Sequence, residues 1–283
     1  MHPGTRVAVE RVIDAMRMNL STELTVDDMA RIAMFSKFHF TRVFQRLTGT
    51  SPRRFLSAVR LQEAKRLLTS TELTVADISL RVGYHSVGTF STRFTKSVGL
   101  SPTAYRQFGG YTPVVLTRRR QLRGNTISGI VHGTPRGLIF MGVFPHRIPE
   151  GAPVACRVLD KPGPYQFNGI PSGTFHVLCQ AVAGNPFELE PEDVVVATAG
   201  PVTVFGNGNF RLDPHLQPVS KLDPPVLLAL LDSRVESLRR AGTPGRHARP
   251  GHVAGHQTAI TIGGSFLDVP SRQQGAAEAM RVS

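Results

Sequence analysis

The sequence lacks the residue types and patterns that mark exported or membrane proteins. It contains no tryptophan, and no apolar run approaches the roughly 18 residues of a membrane-spanning helix. Two cysteines, Cys156 and Cys179, cannot form a multi-disulfide framework; their alternating apolar neighbours indicate buried thiols, with a redox pair as the alternative. The first residues show no signal-peptide pattern and lead into an amphipathic helix. We therefore expect a cytoplasmic protein that does not associate with membranes.

Acidic residues are scarce, and the scarcity is concentrated at one end of the chain. The 283 residues include 33 Lys and Arg against 20 Asp and Glu. Residues 1–120 hold 19 of the basic residues and 8 of the acidic ones, whereas the remainder is almost balanced. A concentrated positive field favours binding to phosphates and makes that binding salt-dependent. This composition predicts a nucleic-acid partner for the first part of the chain.

That basic part contains an internal duplication. The sequence Thr-Glu-Leu-Thr-Val occurs at 22–26 and again at 71–75, and Gly-Thr-Ser-Pro at 49–52 corresponds to Gly-Leu-Ser-Pro at 99–102. The offset grows from 49 to 50, so the second copy gained one residue. Each copy has an apolar helix, a short turn and a second helix with phenylalanines at i and i+4. The pattern predicts two helix-turn-helix units.

The outward faces of the two second helices are the candidate DNA contacts. In the first copy an exposed aromatic ring is placed to meet thymine methyl groups, and arginines are placed to meet guanine. The candidate residues are Lys37, Phe38, Thr41, Arg42 and Arg46 in the first helix, and Ser86, Val87, Gly88, Thr89, Ser91, Thr92, Arg93 and Lys96 in the second. For either copy alone, a helix-turn-helix that does not bind DNA is an equally open alternative, because basic helix faces are usually only solvated.

The segment from about Val7 to Arg106 resembles the DNA-binding domain of the AraC/XylS transcriptional regulators. The second copy carries most of the signature: Ile78-Ser79, Val82-Gly83-Tyr84, Ser86, Phe90, Phe94, Gly99, Ser101-Pro102 and Tyr105-Arg106. The stretch from Arg60 to Leu68 resembles the helix that joins the two units in that family. The resemblance implies seven helices, two recognition helices in successive major grooves about 34 Å apart, and contact with RNA polymerase.

The resemblance also assigns base-facing positions, and here the sequence departs from the family. The positions correspond to Phe38, Thr41 and Arg42 in the first helix and to Val87, Gly88, Ser91 and Thr92 in the second. Many relatives have arginine where this chain has Thr92; here the arginine is Arg93, about 100° further around the helix, where we expect it to reach a phosphate. We therefore expect the first helix to supply most of the direct base readout.

After residue 108 the periodicity changes from helical to alternating. A linker over 109–124 contains Arg118–Arg120, which either contact phosphates or keep the linker solvated. Seven candidate strands follow, at 126–132, 138–144, 154–159, 164–169, 174–183, 194–199 and 201–205. They predict an antiparallel β-sandwich within 125–241, ending in an amphipathic helix over 226–240 that either packs on the sandwich or pairs with a second copy. We expect 242–283 to be mostly disordered.

The run from Gly163 to Val177 resembles the hairpin of prealbumin-like, carboxypeptidase-regulatory-like sandwiches, which bind or support more often than they catalyse. The histidines lack metal-ligand spacing, and no nucleophile, phosphate-loop or paired-carboxylate motif occurs. We thus expect neither enzymatic activity nor a cofactor. The fold class is a double helix-turn-helix domain at 5–108 followed by the sandwich.

These features favour a sequence-specific transcriptional regulator that binds a promoter operator. Its sandwich would sense a small molecule or mediate assembly, for example as a homodimer. The alternative is an architectural protein that binds DNA without sequence preference. An enzyme fused to a DNA-binding domain would need a polar cluster in the sandwich, and the sequence shows none.

Overall fold

The computed structural model describes residues 3–110, 124–135, 139–182 and 194–228. Within these ranges the chain forms seven helices and then eight strands. The helices are α1 (Pro3–Met18), α2 (Val26–Ala33), α3 (Lys37–Thr48), α4 (Pro52–Ser70), α5 (Val75–Arg81), α6 (Val87–Val98) and α7 (Pro102–Gln107). The strands are β1 (Asn125–Ile130), β2 (Ile139–Phe144), β3 (Ala155–Leu159), β4 (Pro164–Ile170), β5 (Gly173–Val182), β6 (Val194–Val204), β7 (Asn209–Arg211) and β8 (Gln217–Pro218).

Hydroxyl side chains begin six of the seven helices. Each accepts a hydrogen bond from a backbone N–H in the first turn, which satisfies one of the donors that a helix start leaves free. These capping residues are Thr25, Ser36, Ser51, Thr74, Ser86 and Ser101. Gly49 and Gly99 end α3 and α6 in the left-handed conformation. The repeated motifs at 49–52 and 99–102 are thus helix-ending and helix-starting signals.

The two units differ by one residue in the turn between their helices. The left-handed residue of the first turn is Met34 and that of the second is Gly83, an offset of 49. The next caps, Ser36 and Ser86, are offset by 50. The residue gained by the second copy therefore lies between Gly83 and Ser86.

Each unit has its own aromatic core. In the first, Phe40, Phe44 and Phe55 are fully buried and pack ring against ring. In the second, Phe90, Phe94 and Tyr105 do the same. Burying side chains of this size contributes about 1.5–3 kcal/mol each. The i and i+4 phenylalanines of the two copies are therefore the centres of two separate cores.

Helix α4 joins the units, as its resemblance to the family's connecting helix implied. Its 19 residues bury Leu61, Ala64, Leu67 and Leu68. From its middle, the Arg60 guanidinium donates to the carbonyl of Thr22 in the first unit at 3.0 Å and to that of Gly83 in the second at 3.1 Å. One side chain thus holds loops of both units.

The strands form two sheets with a common core. One has the order β4-β1-β7 and the other β3-β2-β5-β6-β8. Residues from both sheets form a single buried cluster, to which β1 contributes Ile127, β4 contributes Phe167, and β5 contributes Val177. Most neighbours are antiparallel, but β1 and β7 run parallel. We refer to residues 124–228, as far as they are described, as the β-sheet region.

Several sequence predictions need correction in this region. The predicted strands at 194–199 and 201–205 are one strand, β6, which continues through the cis peptide bond Gly200–Pro201. Strands β7 and β8 were not predicted, and the β1–β7 pair is not antiparallel. Residues 226–228, the start of the predicted C-terminal helix, are not helical because Leu227 is inserted into the core of the second helix-turn-helix unit.

Other predictions lie outside the described residues. These are the arginine run in the linker, the rest of the C-terminal helix, and the tail.

The two cysteines differ in burial. Cys179 is buried as predicted, and burial raises the pKa of its thiol to about 12; Cys156 is half-buried. No helix in the described part of the chain is long and apolar enough to cross a membrane.

Candidate nucleic-acid interface

Helix α3 exposes an aromatic ring and two arginines on one face. Burial of Phe40, Val43 and Phe44 fixes the rotation of the helix, so the residues between them point outward. Phe38 is 82% exposed, and Arg42 and Arg46 are exposed as well. The exposed ring and the two exposed arginines thus share one face of α3, which is the candidate contact surface of this helix.

Two other candidates on α3 already have partners within the protein. The Lys37 ammonium lies 2.7 Å from the carboxylate of Asp27, and both side chains are more than half exposed. The Thr41 hydroxyl donates to the carbonyl of Lys37 at 2.8 Å. Asp27 therefore lowers the positive charge of this face, and the Thr41 hydroxyl keeps only its acceptor capacity for another molecule.

Helix α6 exposes smaller residues at its first turns. Val87 is 41% exposed, Gly88, Thr89 and Thr92 are exposed, and Ser91 is half-buried. The nearest atom to a β-carbon built on Gly88 would be the Ser86 hydroxyl at 3.7 Å, so the backbone there is open to close approach. The Ser86 hydroxyl accepts from the N–H of Thr89 at 3.4 Å, which makes it the cap of α6.

The remaining candidate cations of α6 differ in their surroundings. Lys96 is exposed. The guanidinium of Arg93 is turned toward α4 and the β-sheet region: it donates to the Ser57 hydroxyl at 3.3 Å and to the Glu150 carboxylate at 3.1 Å. The rotation of about 100° from Thr92 thus takes Arg93 to an internal acid, and its contact with a phosphate stays a prediction.

Glu150 is a half-buried acceptor that sequence reasoning missed. Its carboxylate also accepts from Arg54 of α4 at 2.7 Å and from Ser97 of α6 at 2.9 Å. Burial alone would raise the pKa of this carboxyl; the hydrogen bonds from Arg54 and Ser97 and the charge of Arg93 outweigh it and hold the pKa below its ordinary value. Glu150 is therefore ionised at neutral pH. The loop sequence Pro149-Glu150-Gly151 carries no signal that its partners lie 53 to 96 residues away.

Comparison with known proteins matches the helical part of the chain. A family model described as a helix-turn-helix domain matches residues 29–107. The transcriptional activator AarP of Providencia stuartii is 34% identical over 99 residues, which cover 35% of this chain and 73% of AarP. The lactose operon transcription activator of Staphylococcus xylosus is 32% identical over 98 residues, covering 35% of each chain. The MmsAB operon regulatory protein of Pseudomonas aeruginosa is 37% identical over 92 residues, covering 32% of this chain and 30% of its own.

Solved structures match a similar share of this chain. An AraC-type transcriptional regulator from Chromobacterium violaceum is 25% identical and covers 38% of this chain and 95% of its own, with a TM-score of 0.36. The DNA-binding domain of AdpA, solved with a target DNA, is 30% identical and covers 35% of this chain and 90% of its own, with a TM-score of 0.35.

The aligned part spans only about a third of the length of the lactose and MmsAB regulators. AarP is matched over most of its length at 34% identity. Together with the match of the helix-turn-helix family model, this likeness shows that the chain belongs to the AraC family of helix-turn-helix transcriptional regulators.

Proposed function

We propose that this protein binds a specific double-stranded operator by placing α3 and α6 in successive major grooves. The observation that carries the proposal is the outward face of α3, with an 82% exposed Phe38 beside Arg42 and Arg46. Arginine pairs with the O6 and N7 atoms of guanine, and an aromatic ring contacts thymine methyl groups. We assign most of the direct base readout to α3.

We assign a different role to α6. Val87 and Thr92 offer methyl groups, Gly88 lets the DNA backbone approach closely, and the exposed Lys96 supplies a positive charge for a phosphate. Such contacts add affinity and shape readout but distinguish bases weakly. The named relatives regulate operons, and they support transfer of operator binding to this chain. Contact with RNA polymerase is part of the same proposal.

For the β-sheet region we propose a sandwich that senses a small molecule or mediates assembly. The two sheets share one core, as the sheets of a sandwich do. A cleft of about 680 Å³ lies between α4, strands β5 and β6, and residues 219–226. This volume is within the range of small-molecule sites, and the cleft touches both parts of the protein. We propose no catalytic role.

The test is selection from a randomised duplex library at two salt concentrations, with three proteins. The wild type should enrich an asymmetric site with two contact patches about one helical turn apart. Arg42→Ala should lose about 1–3 kcal/mol of discrimination at one base pair, because it removes a bidentate contact. Arg211→Ala is the control, since Arg211 is an exposed arginine on β7 that pairs with Asp213.

The alternative function gives a different result. A nonspecific architectural protein would retain all duplexes equally and show only a salt dependence. That outcome would overturn the proposed operator binding. Equal losses of base discrimination in Arg42→Ala and Arg211→Ala would overturn the assignment of base readout to α3.

A further inference from the structure

We propose that the β-sheet region braces the two helix-turn-helix units against each other, and that Glu150 is the residue that positions α6 for its groove. The inference rests on the proposed function, in which both recognition helices contact one DNA molecule. It assigns a role in spacing recognition to a carboxylate that touches no DNA.

The first step is the position of Glu150. It belongs to residues 147–151, here called the arm, which follow β2 in the β-sheet region. Its carboxylate joins Arg54 at the start of α4 to Arg93 and Ser97 on α6. The next residue donates its N–H to the carbonyl of Ser97 at 2.8 Å, close to the C-terminal end of α6. The arm is thus bonded both to the helix that joins the units and to the second recognition helix.

The second step is that the arm reaches α6 at the end opposite to the base-facing candidates of its first turn. Ser97 lies in the last turn of α6, whereas Val87 and Gly88 lie in the first turn and remain exposed. The β-sheet region therefore holds α6 without covering the face that we assign to DNA. A contact of this kind sets the orientation of α6 and leaves the side chains of its first turn accessible to bases.

The third step is that the β-sheet region contributes to both cores. Residues 220–227, here called the strap, follow β8. Leu222 is 7% exposed in the core of the first unit, and Leu227 is fully buried in the core of the second, to which Ile148 of the arm also belongs. Lys221 of the strap also pairs with Asp14 of α1 at 2.9 Å. The strap therefore bridges the two units along a route independent of α4.

The strap and the arm are joined to each other. The N–H of Leu227 donates to the carbonyl of Pro149 at 3.1 Å. A movement of one unit relative to the other would thus strain this bond, the core contacts of both leucines and the bonds of Glu150. Two rigid connections restrict the angle between the units more than a single connection does. The brace therefore narrows the range of groove spacings that the protein can fit.

The charge of Glu150 is essential to this arrangement. Arg54 and Arg93 donate to the two oxygens of one carboxylate. Without the negative charge the two guanidinium groups repel each other across a partly buried space, which pushes α4 and α6 apart. The neutral isostere in Glu150→Gln removes the charge while keeping the shape of the side chain.

The main test compares operators selected by the wild type with versions in which one base pair is inserted or deleted between the two contact patches. We expect the wild type to lose roughly tenfold or more in affinity on a change of spacing, and Glu150→Gln to lose less than about threefold. Affinity of Glu150→Gln for random DNA should stay equal or rise, since Arg93 is released and one negative charge is lost. Partial unfolding would lower affinity for every duplex, so it gives the opposite result.

Two further variants complete the comparison, one as a control and one as a second way to break the bridge. Glu63→Gln removes a charge from an exposed ion pair on α4, where Glu63 and Arg66 lie 2.6 Å apart, and should keep the spacing preference of the wild type. Arg93→Gln breaks the same bridge from the other side and should relax the preference as Glu150→Gln does. Unchanged spacing preference in Glu150→Gln would overturn the brace. Loss of base discrimination in Arg42→Ala in the same experiment would still support the proposed function.

A second measurement tests the brace without DNA. Spin labels on Gln45 of α3 and Thr89 of α6, both exposed, report the distance between the recognition helices by double electron–electron resonance. In the full-length protein we expect a narrow distribution in the Glu63→Gln control and a broader one in Glu150→Gln. Equal widths in the two variants would overturn the inference, whatever the outcome of the operator selection.

Discussion

Helix α3 exposes an aromatic ring and two arginines, whereas α6 exposes small residues at its first turns and directs its arginine to an internal carboxylate. The helices occupy equivalent places in a duplicated unit, with the same caps and the same pair of buried phenylalanines. Their cores therefore follow one plan while their outer faces have diverged. The comparison teaches that duplication keeps the cores and caps of two units alike, while the outer face of one stays exposed and an arginine of the other bonds to the β-sheet region.

The turns offer the strongest way to test how similar the units are. Gly83 has a φ of +79°, and a β-carbon there would lie 2.2 Å from the carbonyl oxygen of Leu20 and 2.8 Å from the guanidinium of Arg60. Gly83→Ala should destabilise the protein by about 2 kcal/mol or more, because the left-handed conformation of alanine costs roughly 1–2 kcal/mol and the backbone clash adds to it. Urea unfolding at constant pH measures the change.

The matched change in the first turn should have the opposite sign. Met34 has a φ of +59° and is 82% exposed, so its side chain adds strain and little packing. Met34→Gly should therefore stabilise the protein, by up to about 1 kcal/mol after the larger entropy of glycine in the unfolded chain is subtracted. If Gly83→Ala and Met34→Gly destabilise the protein equally, the left-handed conformation of Met34 is not a source of strain.

Much of the helical domain could be predicted from sequence because its signals are local. The capping hydroxyls, the glycines at 49 and 99 and the phenylalanines four residues apart each act within one turn of helix, and the duplication shows them twice. The outward positions of Phe38, Arg42 and Val87 follow from the same periodicity, and all three are exposed. Their contact with DNA remains a prediction.

The rest depends on contacts between distant segments. The bond between Arg93 and Glu150 joins residues 57 apart, and neither residue's neighbours indicate it. Strand β7 is three residues long and pairs in parallel with β1, which alternation in such a short segment cannot show. Strand β6 was divided because Pro201 resembles a turn signal, although the strand continues through it. Leu227 lies in a segment that the sequence predicts to be helical, because Leu228, Leu231, Val235 and Leu238 follow a helical spacing.

The caps of α2 and α5 differ in the number of hydrogen bonds that their carboxylates accept. The Asp28 carboxylate accepts from both the N–H and the hydroxyl of Thr25, and these bonds hold its pKa below the ordinary value. Asp77 in the second unit accepts from the hydroxyl of Thr74. Asp28→Ala should therefore lower the melting temperature of the protein more than Asp77→Ala does at neutral pH.

The sign of the pH effect follows from the lowered pKa. Because Asp28 binds its proton less readily in the folded state, its stabilisation is complete above its unfolded pKa of about 3.9 and is lost as the pH falls through the folded value. The difference in melting temperature between the wild type and Asp28→Ala should thus shrink in acid. A difference that stays constant from neutral to acid pH would show that the carboxylate charge is not what stabilises α2.

The smallest effect on stability is expected at the exposed pair of Asp27 and Lys37. Ala76 occupies the position in the second unit that Asp27 occupies in the first, so Asp27→Ala makes the two units alike. Both partners of the pair are more than half exposed, and such pairs contribute about 0–1 kcal/mol. DNA affinity should nevertheless increase and its salt dependence should steepen by up to about one unit of slope, because Lys37 becomes available to a phosphate.

The reciprocal change, Ala76→Asp, should weaken binding, since Val87 at the start of α6 supplies no cation to pair with the new carboxylate. Titrations of one operator at several salt concentrations measure both changes, and equal slopes for Asp27→Ala and the wild type would show that Lys37 does not contact DNA.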